Sequence, residues 1–179
     1  MRVIAGKLGG QTFDAPNTHK THPMSERMRG ALFNALGDID GLAVLDAFGG
    51  SGALSFEAIS RGAASSLITD VDRAAHQTIV KNIRQLGVDD SVKAVRINIA
   101  KWSQGHASEQ FDLVLANPPF DGLKTALIER LVRHIKDGGL LVLSWPTREA
   151  VPEFTHLKLA GIKEKHYGDA QLVFYRKIK

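Results

Sequence analysis

The four residues Asn117-Pro118-Pro119-Phe120 are the part of the sequence whose types most directly suggest a reaction. Two successive prolines fix φ and offer no backbone donors, and Pro118 holds Asn117 in an extended conformation. The Asn117 side-chain oxygen and the Pro118 carbonyl could therefore accept both N–H bonds of an exocyclic amine. Its nitrogen lone pair would then be aimed at an electrophile.

Phe120 offers a face on which a nucleic-acid base removed from its stack can lie. Asn117 cannot ionise, so it cannot be a general base, and the proton lost by the amine must go to water or a neighbour. We treat Asn117, Pro118, Pro119 and Phe120 as candidate catalytic residues. The alternative is a purely structural Pro-Pro turn.

A second candidate site is the glycine-dense bend that ends the apolar run Val44–Phe48. Glycines allow positive φ and let the backbone approach a ligand closely, and open α/β sheets bind ligands at the carboxyl ends of their strands. Asp46 could reach a cationic aminoacyl group or orient the bend. The bend itself contributes Phe48, Gly49, Gly50, Ser51 and Gly52 as candidate cofactor-binding residues.

Asp70 ends the next apolar run, about 20 residues after the glycines, where an acid accepts hydrogen bonds from ribose hydroxyls. The alternative for Asp70 is a helix N-cap, although Asp72 is the better cap. Asn98, after a third run, is a candidate contact for an adenine amino group. Val71, Ile99 and Asn117 complete the predicted cofactor site.

The ligand indicated by these residues is a nucleoside with a cationic or small remainder. NAD is disfavoured because the third glycine of the dinucleotide fingerprint is missing and Asp46 would repel a phosphate. The predicted cofactor is S-adenosylmethionine, whose methyl group the amine would accept.

The candidate site residues follow short apolar runs that alternate with helical patterns along the chain. This alternation predicts strands and helices stacked into a parallel sheet, which would position the site residues. The predicted strands are 43–48, 66–72, 92–98, 111–116, 140–145, 162–167 and 170–177. The last two are separated only by Gly168 and Asp169, which predicts a tight hairpin. A helix is expected over 25–36, and the apolar spacing up to Ile135 predicts another that Gly138 stops.

The expected fold is α/β: a Rossmann-like class I methyltransferase with a seven-stranded, mostly parallel sheet and an antiparallel C-terminal hairpin. We expect one domain over residues 1–179, with an N-terminal hairpin and helix flap (1–36) and a Rossmann-like core (37–179).

The net charge of +4 is concentrated at the two ends of the chain. Residues 1–30 carry five basic and two acidic side chains, residues 158–179 carry six and two, and the middle carries twelve and fifteen. If the ends meet beside the site they form a track for phosphates, and otherwise they are solvated basic edges.

The sequence contains no cysteine, which excludes disulfide and thiol chemistry. The seven histidines show no metal-ligand spacing, so no metal is expected. Without an apolar run long enough for a bilayer or a signal-peptide pattern, we expect a cytoplasmic protein with no membrane partner.

Four segments of the chain resemble the RsmD family of small-subunit ribosomal RNA guanine-N2 methyltransferases. They are residues 2–6 (Arg-Val-Ile-Ala-Gly), 22–34 (His-Pro-Met-Ser-Glu-Arg-Met-Arg-Gly-Ala-Leu-Phe-Asn), 45–54 (Leu-Asp-Ala-Phe-Gly-Gly-Ser-Gly-Ala-Leu) and 117–120. The resemblance implies methylation of a guanine N2 amino group in a loop of 16S ribosomal RNA. The partner would be ribosomal RNA or an assembly intermediate of the small subunit, with the protein as a monomer.

The resemblance further implies that Arg27 and Arg29 face the cofactor and RNA. The expected substrate-binding residues are Arg2, Lys7, His22, Arg27, Arg29 and Phe120.

The chain departs from the family pattern at three positions: His22 replaces an arginine, Asn117 replaces an aspartate and Gly50 replaces an alanine. Asn117 is also typical of enzymes that methylate adenine or glutamine nitrogens. Two alternatives follow: an adenine-N6 methyltransferase acting on DNA or RNA, and a non-catalytic nucleic-acid-binding module on the same fold.

Overall fold

Five helices and seven strands form the protein, as seen in a computed structural model that describes residues 1–17, 23–121 and 124–179. The helices are α1 (Glu26–Leu36), α2 (Ala53–Ser60), α3 (Arg73–Gln85), α4 (Ile99–Gly105) and α5 (Thr125–Val132). A short 3-10 helix covers Thr155–Leu157. Among the described residues, no helix combines the length and the apolar character that crossing a membrane requires.

All seven strands belong to one sheet. They are β1 (Ala43–Asp46), β2 (Ser65–Asp70), β3 (Val92–Arg96), β4 (Phe111–Ala116), β5 (Ile135–Pro146), β6 (Leu159–Tyr167) and β7 (Ala170–Lys177), in the spatial order β3-β2-β1-β4-β5-β7-β6. The first five strands pair in parallel, and β7 pairs antiparallel to both β5 and β6. The expected Rossmann-like fold is confirmed.

Two apolar clusters cover the opposite faces of this sheet, because successive residues of a strand point to opposite sides. Val44 of β1 packs with α1, α2 and α3, whereas Leu45 packs with α4 and α5. The sheet is therefore buried on both faces and holds its carboxyl ends in fixed positions.

The start of β5 differs from the sequence prediction. Ile135 fits the helical spacing of α5, yet α5 ends at Val132 and Ile135 pairs with Phe111 of β4. The register then shifts, and Leu140 pairs with Leu113. Lys136, in the irregular segment, donates to both carboxylate oxygens of Asp112 at 2.9 and 3.0 Å. A cross-strand pairing has therefore overridden the local spacing.

Helix α4 was missed by the sequence prediction, and three strands end earlier than expected. β1 ends at Asp46, β2 at Asp70 and β3 at Arg96, so the residues assigned to their ends lie in loops or caps. Asn98 caps α4 by accepting a hydrogen bond from the Ala100 amide at 2.9 Å.

The N-terminal hairpin is small and packs against α2. Arg2 and Thr12 form its single bridge, and the Val3 amide donates to the Gln11 carbonyl at 2.9 Å. The Lys7 amide donates to the carbonyl of Ser60, the last residue of α2, at 2.8 Å. This hairpin is therefore anchored at the end of α2 that lies farthest from the glycine bend.

Candidate active site

The glycine bend between β1 and α2 is held by short backbone hydrogen bonds. The Gly49 amide donates to the Thr69 carbonyl at 2.9 Å, and the Gly52 amide donates to the Gly49 carbonyl at 2.7 Å. A Cβ on Gly49 would lie 2.3 Å from Ile68 Cγ2, and Gly52 has a φ of 79°. Side chains are excluded at both positions, so the bend keeps its backbone open to a ligand.

Asp70 connects the bend to the loop after β2. Its Oδ2 accepts from the Gly50 amide at 2.7 Å and its Oδ1 accepts from the Asp72 amide at 2.8 Å. The N-cap of α3 is Asp72, which accepts from Ala75 at 2.9 Å. The helix-cap alternative for Asp70 is therefore wrong. Val71, beside it, is 63% exposed.

Asp46 is fully buried beneath the bend. Its Oδ2 accepts from Ser55 Oγ at 3.0 Å, and Ser66 Oγ donates to Ser55 Oγ at 2.9 Å. Its Oδ1 has no hydrogen-bond partner among the described residues. Burial is the main reason that the pKa of Asp46 rises to about 7, and the Asp70 charge acts in the same direction. Of the two roles expected for Asp46, orienting the bend matches its contacts.

The raised pKa of Asp46 predicts a pH-dependent stability. The folded protein keeps a proton that the unfolded chain loses near pH 4, so stability is expected to fall between about pH 4 and 7 and to level off above 7. Asp46→Asn removes this titration. The difference in unfolding free energy between the variant and the wild type should therefore rise, in favour of the variant, by about 2–3 kcal/mol between pH 5 and 8. Urea unfolding at both pH values measures this; an unchanged difference would contradict it.

The double-proline corner follows β4, which is the neighbour of β1 in the sheet. Pro118 is buried, Pro119 is exposed, and Asn117 and Phe120 are half-buried. Phe48 of the glycine bend and both prolines line one cleft of about 380 Å³. This volume lies within the range of small-molecule sites. The two loops thus share a cleft through Phe48 and the two prolines, whereas Asn117, Phe120, Asp70 and the glycines of the bend do not line it.

The remaining walls of the cleft come from α4, α5 and the segment between the corner and α5. They are Asn98, Ala100, Asp121, Lys124, Ala126, Leu127 and Arg130. Asn98 lines the cleft, and its contact with an adenine amino group stays a prediction, whereas Ile99 is buried in the core under α4. The other six were not predicted as site residues. For Ala126, Leu127 and Arg130 the signal was the helical spacing after the proline corner, which places one face of α5 beside it.

Arg29 was expected to face the cofactor and RNA, and this expectation is wrong. Arg29 is fully buried, its Nε lies 3.8 Å from Glu57 Oε2, and its Nη2 donates to the Arg2 carbonyl at 2.7 Å. Glu57 is also buried and accepts from the Ile4 and Ala5 amides at 2.8 and 3.1 Å. Arg29 thus balances the buried carboxylate that anchors the N-terminal hairpin.

Three further basic residues that were expected to bind RNA, Arg2, Lys7 and Arg27, do not line the cleft. Arg2 is exposed and pairs with Glu26 at 2.9 Å, and Lys7 is exposed at the far end of α2. Arg27 is exposed on the first turn of α1. His22 lies outside the described residues.

The C-terminal basic residues are partly committed to the sheet. Lys177 Nζ donates to the Ile135 carbonyl at 2.7 Å, and Arg176 Nη1 donates to the Gly138 carbonyl at 3.1 Å. Ile135 is the first residue of β5. Both contacts therefore lie at the amino ends of the parallel strands, whereas the cleft lies at their carboxyl ends. At these two residues the structure favours a basic edge over a phosphate track beside the site.

Comparison with known proteins agrees with this fold. The family model described as Conserved hypothetical protein 95 matches residues 1–176. The chain belongs to the RsmD family. Ribosomal RNA small subunit methyltransferase D of Escherichia coli (strain K12), one member similar to this chain, is 32% identical over 142 residues, covering 79% of this chain and 69% of that protein.

Two further comparisons cover the RsmD-family chain almost completely. Ribosomal RNA small subunit methyltransferase D of Haemophilus influenzae is 33% identical over 183 residues, covering 98% of this chain and 92% of that protein. The solved structure of the Escherichia coli protein yhhF has a TM-score of 0.88 and 28% identity, with 99% and 98% of the two chains covered. The family expected from the sequence is confirmed, and the roles of individual site residues stay predictions.

Proposed function

We propose that this protein is an S-adenosylmethionine-dependent methyltransferase that methylates the N2 amino group of a guanine in small-subunit ribosomal RNA. The observation that carries the proposal is the cleft shared by the glycine bend and the double-proline corner. The ribosomal substrate is supported by the names of the relatives from Escherichia coli and Haemophilus influenzae. The assignment of guanine N2 as the methylated amine rests on the resemblance of the four sequence segments to the family.

The residues at the bend fit S-adenosylmethionine. Asp70 lies against Gly50 and retains free lone pairs for ribose hydroxyls, and the exposed Val71 offers an apolar surface to a purine. Asp46, buried beneath the bend, supports it through Ser55 and does not itself face the cleft. When bound, the cofactor supplies an electrophilic methyl group on a sulfonium.

The proline corner positions the amine. The Asn117 side-chain oxygen and the Pro118 carbonyl accept its two N–H bonds, so the nitrogen lone pair points into the cleft. In this orientation the amine nitrogen would accept the methyl group that the cofactor supplies, and the extra proton would leave to water. Because Asn117 does not titrate, the corner acts by orientation and by favouring the positive charge that develops on nitrogen. Phe120, half-buried, receives the face of the base.

Adenine N6 is the second candidate target, and Asn117 is the observation that favours it. An asparagine at this position is typical of enzymes that methylate adenine or glutamine nitrogens, whereas the family pattern has aspartate. A non-catalytic binding module is the third candidate, and loss of S-adenosylmethionine binding would favour it. Within the proposal the protein acts as a cytoplasmic monomer, on the RNA or on an assembly intermediate of the small subunit.

Nucleoside analysis separates these candidates. The protein is incubated with methyl-labelled S-adenosylmethionine and either unmethylated small-subunit ribosomal RNA or purified small subunits, and the RNA is digested to nucleosides. We expect the label in N2-methylguanosine. Label in N6-methyladenosine would instead establish the adenine candidate, and absence of label together with absence of cofactor binding in calorimetry would establish the non-catalytic one.

A further inference from the structure

The outer wall of the cleft carries two cations that the sequence prediction did not include. Lys124 and Arg130 both line the cleft and are exposed. Among the residues that the structure describes, neither forms an ion pair. Glu129, the carboxylate next to Arg130 in sequence, lies instead 3.8 Å from His156. Both cations are therefore available to a ligand.

The geometry of α5 places Arg130 on the same helix face as the apolar floor of the cleft. Ala126 and Leu127 precede Arg130 by four and three residues, and such residues are neighbours on a helix surface. Lys124 precedes the first turn of α5, so the two cations are separated by about 9 Å along the helix direction. Between them the wall is apolar. A ligand that uses both cations must carry two anionic groups joined by an uncharged segment.

We propose that Arg130 and Lys124 bind the phosphates that flank the target nucleotide, an inference that rests on the function proposed above. A base that enters the cleft leaves its own backbone at the mouth. Most contacts of proteins to nucleic-acid backbones are made by arginine and lysine to phosphate oxygens. The guanidinium of Arg130 can bind one phosphate with two parallel hydrogen bonds, whereas Lys124 acts as a point charge.

The positions of the other charges agree with this assignment. Arg2 is paired with Glu26, Arg29 is buried against Glu57, and Lys7 lies at the far end of α2. Asp121, the one carboxylate among the cleft-lining residues that the structure describes, lies at the end of the proline corner. Its negative charge disfavours a phosphate at that end of the cleft, so the phosphate-binding subsite lies on the α5 side.

Salt-dependent RNA binding tests the assignment. The probe is unmethylated small-subunit ribosomal RNA, with binding measured by filter retention across a salt series and methylation measured as KM for the same RNA. Arg130→Gln is expected to weaken binding and raise KM about tenfold, and to reduce the slope of log K against log salt by about 0.7. Lys124→Gln is expected to act in the same direction with a smaller effect. Affinity for S-adenosylmethionine should change less than twofold in both variants, which also shows that they fold.

The matched control is Arg133→Gln. Arg133 is exposed at the end of α5 and does not line the cleft. The Arg133→Gln variant should keep the wild-type KM for the RNA and the wild-type slope of log K against log salt. Arg130→Lys should restore the slope but only part of the affinity. If Arg130→Gln and Arg133→Gln behave alike while wild type methylates the RNA, the phosphate subsite is overturned and the proposed function stands. A wild-type protein that neither binds nor methylates the RNA or the subunit overturns both.

Discussion

Asn117→Ala is expected to reduce the rate of RNA methylation at saturating substrates by at least about 100-fold, comparable to the loss of one oriented hydrogen-bonding group in other active sites. Alanine removes the side-chain acceptor while the two prolines keep the backbone of the corner in place. Affinity for S-adenosylmethionine should change less than about threefold, since Asp70 and the glycine bend remain intact. Single-turnover kinetics with labelled cofactor and calorimetry measure the two quantities separately.

Two variants sharpen the Asn117 experiment. Asn117→Asp keeps an acceptor oxygen at the same place and is expected to retain activity within about tenfold of wild type. Asn34→Ala is the matched control, because Asn34 is an exposed asparagine on α1 whose side chain accepts from Arg61 at 3.1 Å. If Asn117→Ala methylates as fast as Asn34→Ala, the role assigned to the corner is wrong.

Asp70→Ala is expected to weaken S-adenosylmethionine binding about 100-fold. The Asp70 carboxylate accepts from the Gly50 and Asp72 amides, so its removal loosens the bend as well as deleting the proposed ribose acceptor. Two lost charge-assisted hydrogen bonds correspond to about 3 kcal/mol, or roughly two orders of magnitude in affinity. Calorimetric titration of the cofactor measures this.

Asp72→Ala is the control for Asp70. Asp72 lies two residues later and caps α3 through the Ala75 amide. Its loss should lower the unfolding free energy by about 1 kcal/mol and leave cofactor affinity nearly unchanged. Equal losses of affinity in the two variants would mean that the loop after β2 acts only as a scaffold.

The sheet could be predicted from the sequence because its strands are short apolar runs that end in polar or glycine residues. β4 was predicted with its observed bounds, and the turn at Gly168 and Asp169 indicated the terminal hairpin. The start of β5 could not be predicted, since Ile135 fits a helical spacing and only its pairing with Phe111 decides otherwise. Local patterns are weaker than such long-range contacts.

The site was predictable where backbone chemistry defines it and unpredictable where packing does. Glycine and proline have conformational requirements that do not depend on distant residues, so the bend at Gly49 and the corner at Pro118 were both recognised. Arg29 is different, because its burial depends on Glu57, which lies 28 positions away in the chain. Charge counts alone could not distinguish that buried arginine from Arg130, which lines the cleft.

A crystal structure of the protein with S-adenosylhomocysteine would test the central claim most directly. We expect the adenosine against Asp70 and Val71, with the sulfur directed toward Asn117 across the cleft that Phe48 and Pro118 share. Adenosine bound elsewhere on the sheet, or a sulfur that faces away from the proline corner, would contradict it.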